Sequence, residues 1–192
     1  MITSVIQYIY YFLFHYPLKI ILNPRVIIPK NLDTKKPVMI IANHNSRIDP
    51  FLLALVPFSL IKQLIPIYFP TAEKYHKNII LSLLLRLLGS YPIKRWGWSY
   101  GDVFEKTIKD LKNGKTTLIF PEAQIVKKNE KIEAKPGFLY LASTTNPQIM
   151  YIKWIIKNKM TIIKIRKPKK KEYNEKWFKK EAQKIMQEID KM

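Results

Sequence analysis

Val38-Met39-Ile40-Ile41-Ala42 runs directly into Asn43-His44-Asn45-Ser46-Arg47-Ile48-Asp49-Pro50. The first five residues are apolar without alternation, the pattern of a strand covered on both faces. The next eight read as a polar turn holding a histidine and a carboxylate. A reactive group at the end of a buried strand has a rigid scaffold behind it, and α/β folds place their sites there.

Outward from this stretch the chain alternates between two periods. Strands are expected at 26–28, 38–42, 64–69, 91–93, 116–120, 149–154 and 160–166. Helices are expected at 50–56, ended by Pro57; at 78–88, closed by Gly89; at 99–112, ended by Asn113-Gly114; and at 138–143 and 175–191. The reading is α/β: a single domain with a mixed β-sheet flanked by helices. There is no internal repeat, and no linker long enough to divide two domains.

The chain has 192 residues, a length that suits one domain with a sizeable core. With 47% hydrophobic and 25% charged residues, wholesale disorder is excluded. Charge is the anomaly: 34 Lys and Arg stand against 14 Asp and Glu, a net +20. Such a surface seeks a polyanion: nucleic acid, an anionic membrane face or an acidic carrier. Without cysteine there is no disulfide, thiolate nucleophile or cysteine metal site. His15, His44 and His76 are too scattered for a self-evident zinc site, so no metal is expected.

Residues 1–22 contain a single side-chain charge, Lys19, and from Ile2 to Phe14 only Thr3, Ser4 and Gln7 interrupt the apolar run. As a helix those residues reach about 20 Å, short of the roughly 30 Å hydrocarbon core of a bilayer. Pro17 is expected to break or kink the segment. Tyr8, Tyr10, Tyr11 and Tyr16 suit a membrane interface. Residues 1–22 are therefore expected to form a membrane-associating helix lying in one leaflet, and residues 23–192 the body of the protein. The basic run Arg166-Lys167-Pro168-Lys169-Lys170-Lys171 would hold that arrangement on anionic lipid.

His44 and Asp49 are five residues apart, which on one continuous helix would turn them about 140° away from each other. Asp49 precedes Pro50, a residue suited to open a helix, so His44 is expected in a turn that folds back toward Asp49. Each has a plainer use alone: Asp49 as a helix cap, His44 as a core-edge histidine. Together they fit a neutral imidazole whose one N–H is held by a carboxylate, ready to take a proton from a hydroxyl. The chain has no thiol to serve as nucleophile, and a His–Asp pair suggests direct transfer to a substrate hydroxyl.

Asn-His-x4-Asp after a buried strand resembles the first motif of the glycerolipid acyltransferase family, whose best-known members are the 1-acylglycerol-3-phosphate acyltransferases. Gly89-Ser90-Tyr91-Pro92-Ile93-Lys94-Arg95 resembles the second motif and Phe120-Pro121-Glu122 the start of the third, Phe-Pro-Glu-Gly-Thr-Arg. Lys135-Pro136-Gly137-Phe138, with Pro147 beyond, resembles the fourth; with Arg25-Val26 and Asn31-Leu32 the likeness covers roughly residues 20–170.

The resemblance implies acyl transfer from a thioester of coenzyme A or acyl carrier protein to a lysolipid hydroxyl, with no metal or redox cofactor. It implies His44 as general base and Asp49 as its orienting partner. Arg95, Lys94, Gly89 and Glu122 would serve the acceptor. The resemblance also implies membrane association on the cytoplasmic face, and no nucleic acid is expected as a partner. The third motif departs from the pattern, because Ala123, Gln124 and Ile125 stand where Gly, Thr and Arg are expected. Three readings stay open: Lys127 or Lys128 replaces the arginine at an acceptor phosphate, the acceptor lacks that phosphate, or the chain binds lipid without turnover. A basic nucleic-acid-binding protein is the reading from another class; it leaves the apolar N-terminus and the ordered motifs unexplained.

Overall fold

The structure is a computed structural model, and it describes residues 2–28, 34, 36–93, 100–126, 130, 132–155, 160–166 and 175–191. Its seven strands are β1 (Arg25–Ile27), β2 (Val38–Ala42), β3 (Ile67–Ala72), β4 (Ser90–Ile93), β5 (Thr116–Ile119), β6 (Gln148–Ile155) and β7 (Met160–Arg166). They form one sheet in the order β1-β7-β6-β2-β5-β3-β4. β6, β2, β5, β3 and β4 run parallel, while β7 pairs antiparallel with β6 and carries β1 parallel to itself. The mixed sheet expected from the sequence is therefore observed.

β2 lies in the middle, in register with β5 through Ile41↔Ile119 and with β6 through Ala42↔Ile152. All five of its residues are buried, because helices cover both faces. On one face Val38, Ile40 and Ala42 join Met150, Ile152 and Trp154 beneath the 3-10 helix Asp49–Leu55, α2 (Phe58–Leu64) and part of α1 (Ile2–Leu22). On the other, Met39 and Ile41 pack with Leu111 of α4 (Tyr100–Lys112), Phe138 and Leu141 of α5 (Gly137–Thr145), and Ile185 and Ile189 of α6 (Glu175–Lys191). Asn78 caps α3 (Ile79–Leu87) by accepting from the Leu81 N–H.

Two elements differ from the sequence reading. Residues 58–63, assigned to nothing, form α2 together with Leu64, and the strand expected at 64–69 begins only at Ile67. Apolar periodicity does not separate a short buried helix from a strand. Here Pro57 opens a helix, and Pro66 holds Ile65 extended (ψ 137°) and ends it. The second difference is α1, which continues through Pro17 to Leu22. Its 21 residues reach about 31 Å instead of the expected 20 Å. Pro17 withdraws one N–H from the ladder, but bonds to the body hold the helix on the N-terminal side of that gap. Tyr11 Oη donates to the Val56 carbonyl at 3.1 Å and His15 Nδ1 to the Ala54 carbonyl at 2.6 Å.

α1 is thus part of the core as well as apolar on its outer side. Tyr11 is only 4% exposed, while Ile9, Phe12, Leu13, Ile20 and Ile21 face outward. Gln7 makes three hydrogen bonds to the body. Its amide donates to the carbonyls of Ile67 (2.6 Å) and Leu88 (2.9 Å) and accepts from the Ile67 N–H (2.9 Å). α1 is also long and apolar enough to cross a membrane, by length and composition. α3 lies beside it with Ile79, Ile80, Leu83 and Leu84 more than half exposed, so the two helices offer a joint apolar surface. Replacing Gln7 by Ala should lower the unfolding free energy by about 2–4 kcal/mol, because it orphans partly buried peptide groups at the start of β3. Denaturant unfolding in a mild detergent measures it, and a loss below the scatter of surface substitutions would contradict the assigned clip.

Candidate active site

The site forms at the C-terminal ends of β2 and β5. Asn43 ends the β2 ladder with its side chain: Oδ1 accepts from the Trp154 N–H at 2.6 Å, and Nδ2 donates to the Trp154 carbonyl at 2.9 Å. Asn45 Nδ2 reaches the same carbonyl at 3.1 Å. With side-chain amides tied to β6, the main chain is free to turn sharply at His44.

That turn closes on Asp49, which is fully buried. Its Oδ2 accepts from the N–H groups of Asn45 (2.6 Å) and Ser46 (2.8 Å) and lies 3.0 Å from His44 Nδ1. With the carboxylate oxygen accepting, the shared proton is assigned to Nδ1, and among the described residues no hydrogen bond engages Nε2 on the opposite edge of the ring. The His44 side chain keeps 18% of its surface accessible. Pro50 comes next, and the 3-10 helix begins at Asp49. The fold-back expected from sequence is what the turn achieves.

The segment after β5 completes the surroundings. The Phe120 ring stacks on the imidazole, centroids 4.2 Å apart and planes 20° from parallel. Glu122 is buried, with Oε1 3.3 Å from the His44 N–H. The Val126 N–H donates to the His44 carbonyl at 2.7 Å. Burial raises the Glu122 carboxyl from an ordinary value of 4.5 to about 7, and the nearby Asp190 of α6 adds to the rise. Among the described residues, neither Asp49 Oδ1 nor Glu122 Oε2 has a hydrogen-bond partner. No group of three or more potential metal ligands occurs among those residues either.

Of the residues singled out by sequence, the structure brings His44, Asp49 and Glu122 together. Gly89 lies at the other end of β4, in the turn that leaves α3. Its φ is +94°, and a Cβ there would stand 2.3 Å from the Ile67 carbonyl oxygen and 2.8 Å from Gln7 Nε2, so only glycine fits. β4 carries the chain from that turn toward the site and ends at Ile93. Lys94 and Arg95, just beyond it, and Lys127 and Lys128, just beyond the 120–126 loop, lie outside the described residues. The sequence reading missed the stacking role of Phe120 and the anchorage of Asn43 and Asn45 on Trp154. An aromatic residue just before Pro-Glu was a usable signal for the first; nothing local pointed 111 residues ahead to Trp154.

Comparison with known proteins places this arrangement in a family. A family model described as Acyltransferase matches residues 23–163. The chain belongs to the acyltransferase family. Over 109 residues it is 30% identical to the probable 1-acyl-sn-glycerol-3-phosphate acyltransferase of Mycoplasma genitalium. That match takes in 56% of this chain and spans 40% of the relative's length. The fold is that of the 1-acyl-sn-glycerophosphate (LPA) acyltransferase PlsC from Thermotoga maritima, whose crystal structure superposes with a TM-score of 0.66. The superposition covers 97% of this chain and 79% of that one, at 19% identity.

Ala123 stands where the family motif carries glycine, and it adopts φ +55°. A side chain in this left-handed region costs roughly 1–2 kcal/mol, which outweighs the smaller entropic cost of glycine in the unfolded chain. Ala123→Gly should therefore raise the unfolding free energy by about 0.5–1 kcal/mol. A denaturation midpoint that falls instead would show that the loop does not hold this conformation in solution.

Proposed function

We propose that this protein moves a fatty acyl group from an acyl thioester to the hydroxyl of a lysolipid, most simply converting 1-acylglycerol-3-phosphate to phosphatidic acid in phospholipid synthesis. The observation that carries the reading is the His44–Asp49 pair, with Nδ1 tied and Nε2 open. Nε2 takes the acceptor hydroxyl proton as its oxygen attacks the thioester carbonyl carbon. Asp49 stabilises the imidazolium that results. The tetrahedral intermediate collapses with cleavage of the carbon–sulfur bond, and the leaving thiolate recovers the proton from His44. As written, the step needs neither a metal nor a redox group, and the donor is acyl-coenzyme A or acyl-carrier protein.

Lys94 and Arg95 follow β4 in the sequence, and Lys127 and Lys128 follow the 120–126 loop, so these residues would supply positive charge for an anionic head group. The apolar outer sides of α1 and α3, with Lys19, Lys74, Lys77 and Arg86 exposed on or beside them, support docking on an anionic membrane from its cytoplasmic face. α1 would lie in or enter that membrane, and the +20 charge would hold the protein there. Ile125 favours a second reading of the acceptor. An isoleucine where the motif has arginine cannot bind a phosphate, so a lysolipid without a terminal phosphate fits equally well.

Acyl transfer from labelled acyl-coenzyme A and acyl-carrier protein to a panel of lysolipids, with vesicle-bound protein, tests the reading. Transfer to lysophosphatidic acid should appear and should fall at least ~1000-fold in His44→Ala, the loss expected when a general base is removed. Transfer confined to acceptors lacking the phosphate would establish the second reading. No His44-dependent product with any pair would leave a lipid-binding relative and refute catalysis.

A further inference from the structure

Among the described residues, the loop after β5 makes three direct contacts with the main chain and ring face of His44. Phe120 covers the ring, Val126 takes the carbonyl, and Glu122 takes the N–H. Asp49 holds the Nδ1 edge and, through the N–H groups of Asn45 and Ser46, the turn that follows. The Glu122 carboxyl is 5% exposed and walled in behind the His44 turn. A carboxylate that recognised a head group would need at least one oxygen open to solvent, yet Oε1 faces the His44 N–H and Oε2 is buried. Pro121 and Ala123 fix the Glu122 backbone on both sides: the Pro121 carbonyl accepts from the Lys135 N–H at 2.8 Å, and the Ala123 N–H donates to the Phe120 carbonyl at 3.0 Å. The loop is built as a clamp.

We propose that Glu122 is a positioning residue for the general base, holding the main chain of His44 through Oε1, and that it does not bind the acceptor. The inference rests on His44 being the base. It differs from the substrate-binding role that the motif resemblance suggests, and it predicts a different kinetic signature. A clamp on the base acts on turnover and leaves acceptor affinity alone, because a misplacement of about 1 Å at a reacting group costs on the order of 100-fold in rate. The charged and titratable groups around Glu122 are His44 from the turn after β2 and Asp190 from α6, with Asp49 on the Nδ1 side of the ring.

The test uses the full chain in vesicles, comparing wild type with Glu122→Ala and Glu122→Gln. Glu122→Ala should lower kcat about 100-fold with the acceptor KM within about twofold of wild type. Glu122→Gln keeps an acceptor oxygen, so it should recover most of that loss. Amide hydrogen exchange over residues 43–49, read independently of activity, should quicken about tenfold in Glu122→Ala and stay at the wild-type rate in Glu122→Gln. Unchanged exchange in Glu122→Ala, or an acceptor KM raised about tenfold with kcat preserved, would overturn the proposal. Because exchange needs no turnover, failure of the clamp is distinguishable from failure of the acyl-transfer reading, which His44→Ala tests separately.

Discussion

One buried oxygen organises the site. Asp49 Oδ2 collects the N–H groups of Asn45 and Ser46 and the Nδ1 edge of His44, in a residue with no accessible surface. Burying a carboxylate costs several kcal/mol, and charge-assisted hydrogen bonds of roughly 1.5–3 kcal/mol each offset that cost. The turn is therefore stable only while all three donors converge, and their convergence aims the imidazole. Shape and chemistry of residues 43–49 rest on the same three bonds. The second buried carboxyl, Glu122, meets His44 from the β5 side, so the imidazole residue is gripped from two strands of the sheet.

The same carboxylate begins the 3-10 helix Asp49–Leu55, and that helix is what α1 packs against. Tyr10 Oη donates to the Phe51 carbonyl, Tyr11 Oη to that of Val56 and His15 Nδ1 to that of Ala54. The helix with the apolar outer side is thus joined to the His44 turn through one short element. α1 packs on the same side of the sheet as this helix, so the His44 turn and the apolar face of α1 share one side of the molecule. The proposed transfer to a lysolipid would make use of that proximity.

Much of this was legible in the chain because local chemistry and tertiary environment agree where it matters. The unbroken run 38–42 announced a strand buried on both faces, and Asp49-Pro50 announced a turn. Gly89 and Gly114, both at positive φ, marked the ends of α3 and α4 as the sequence suggested. The illegible parts are those where a distant partner decides. Whether 58–64 is helix or strand depends on what covers it, and α1 passes Pro17 because Ala54 and Val56 hold it in place. The motif resemblance brought Glu122 to notice but not its direction, which depends on where the His44 N–H lies. Asn43 gave no hint of Trp154, since a side-chain amide that extends a β-ladder looks in sequence like any polar loop residue.

The central claim is that Asp49 supplies negative charge to a working base, and is more than a cap for the turn. Asp49→Asn separates the two, because an asparagine can place its oxygen at the Oδ2 position, keep all three donors and remove only the charge. Single-turnover acyl transfer by this variant, alongside its unfolding free energy, is the direct measurement. The account predicts a rate lower by about 10²–10⁴ with the fold intact. A rate within a few-fold of wild type would contradict it, and would leave Asp49 as architecture alone.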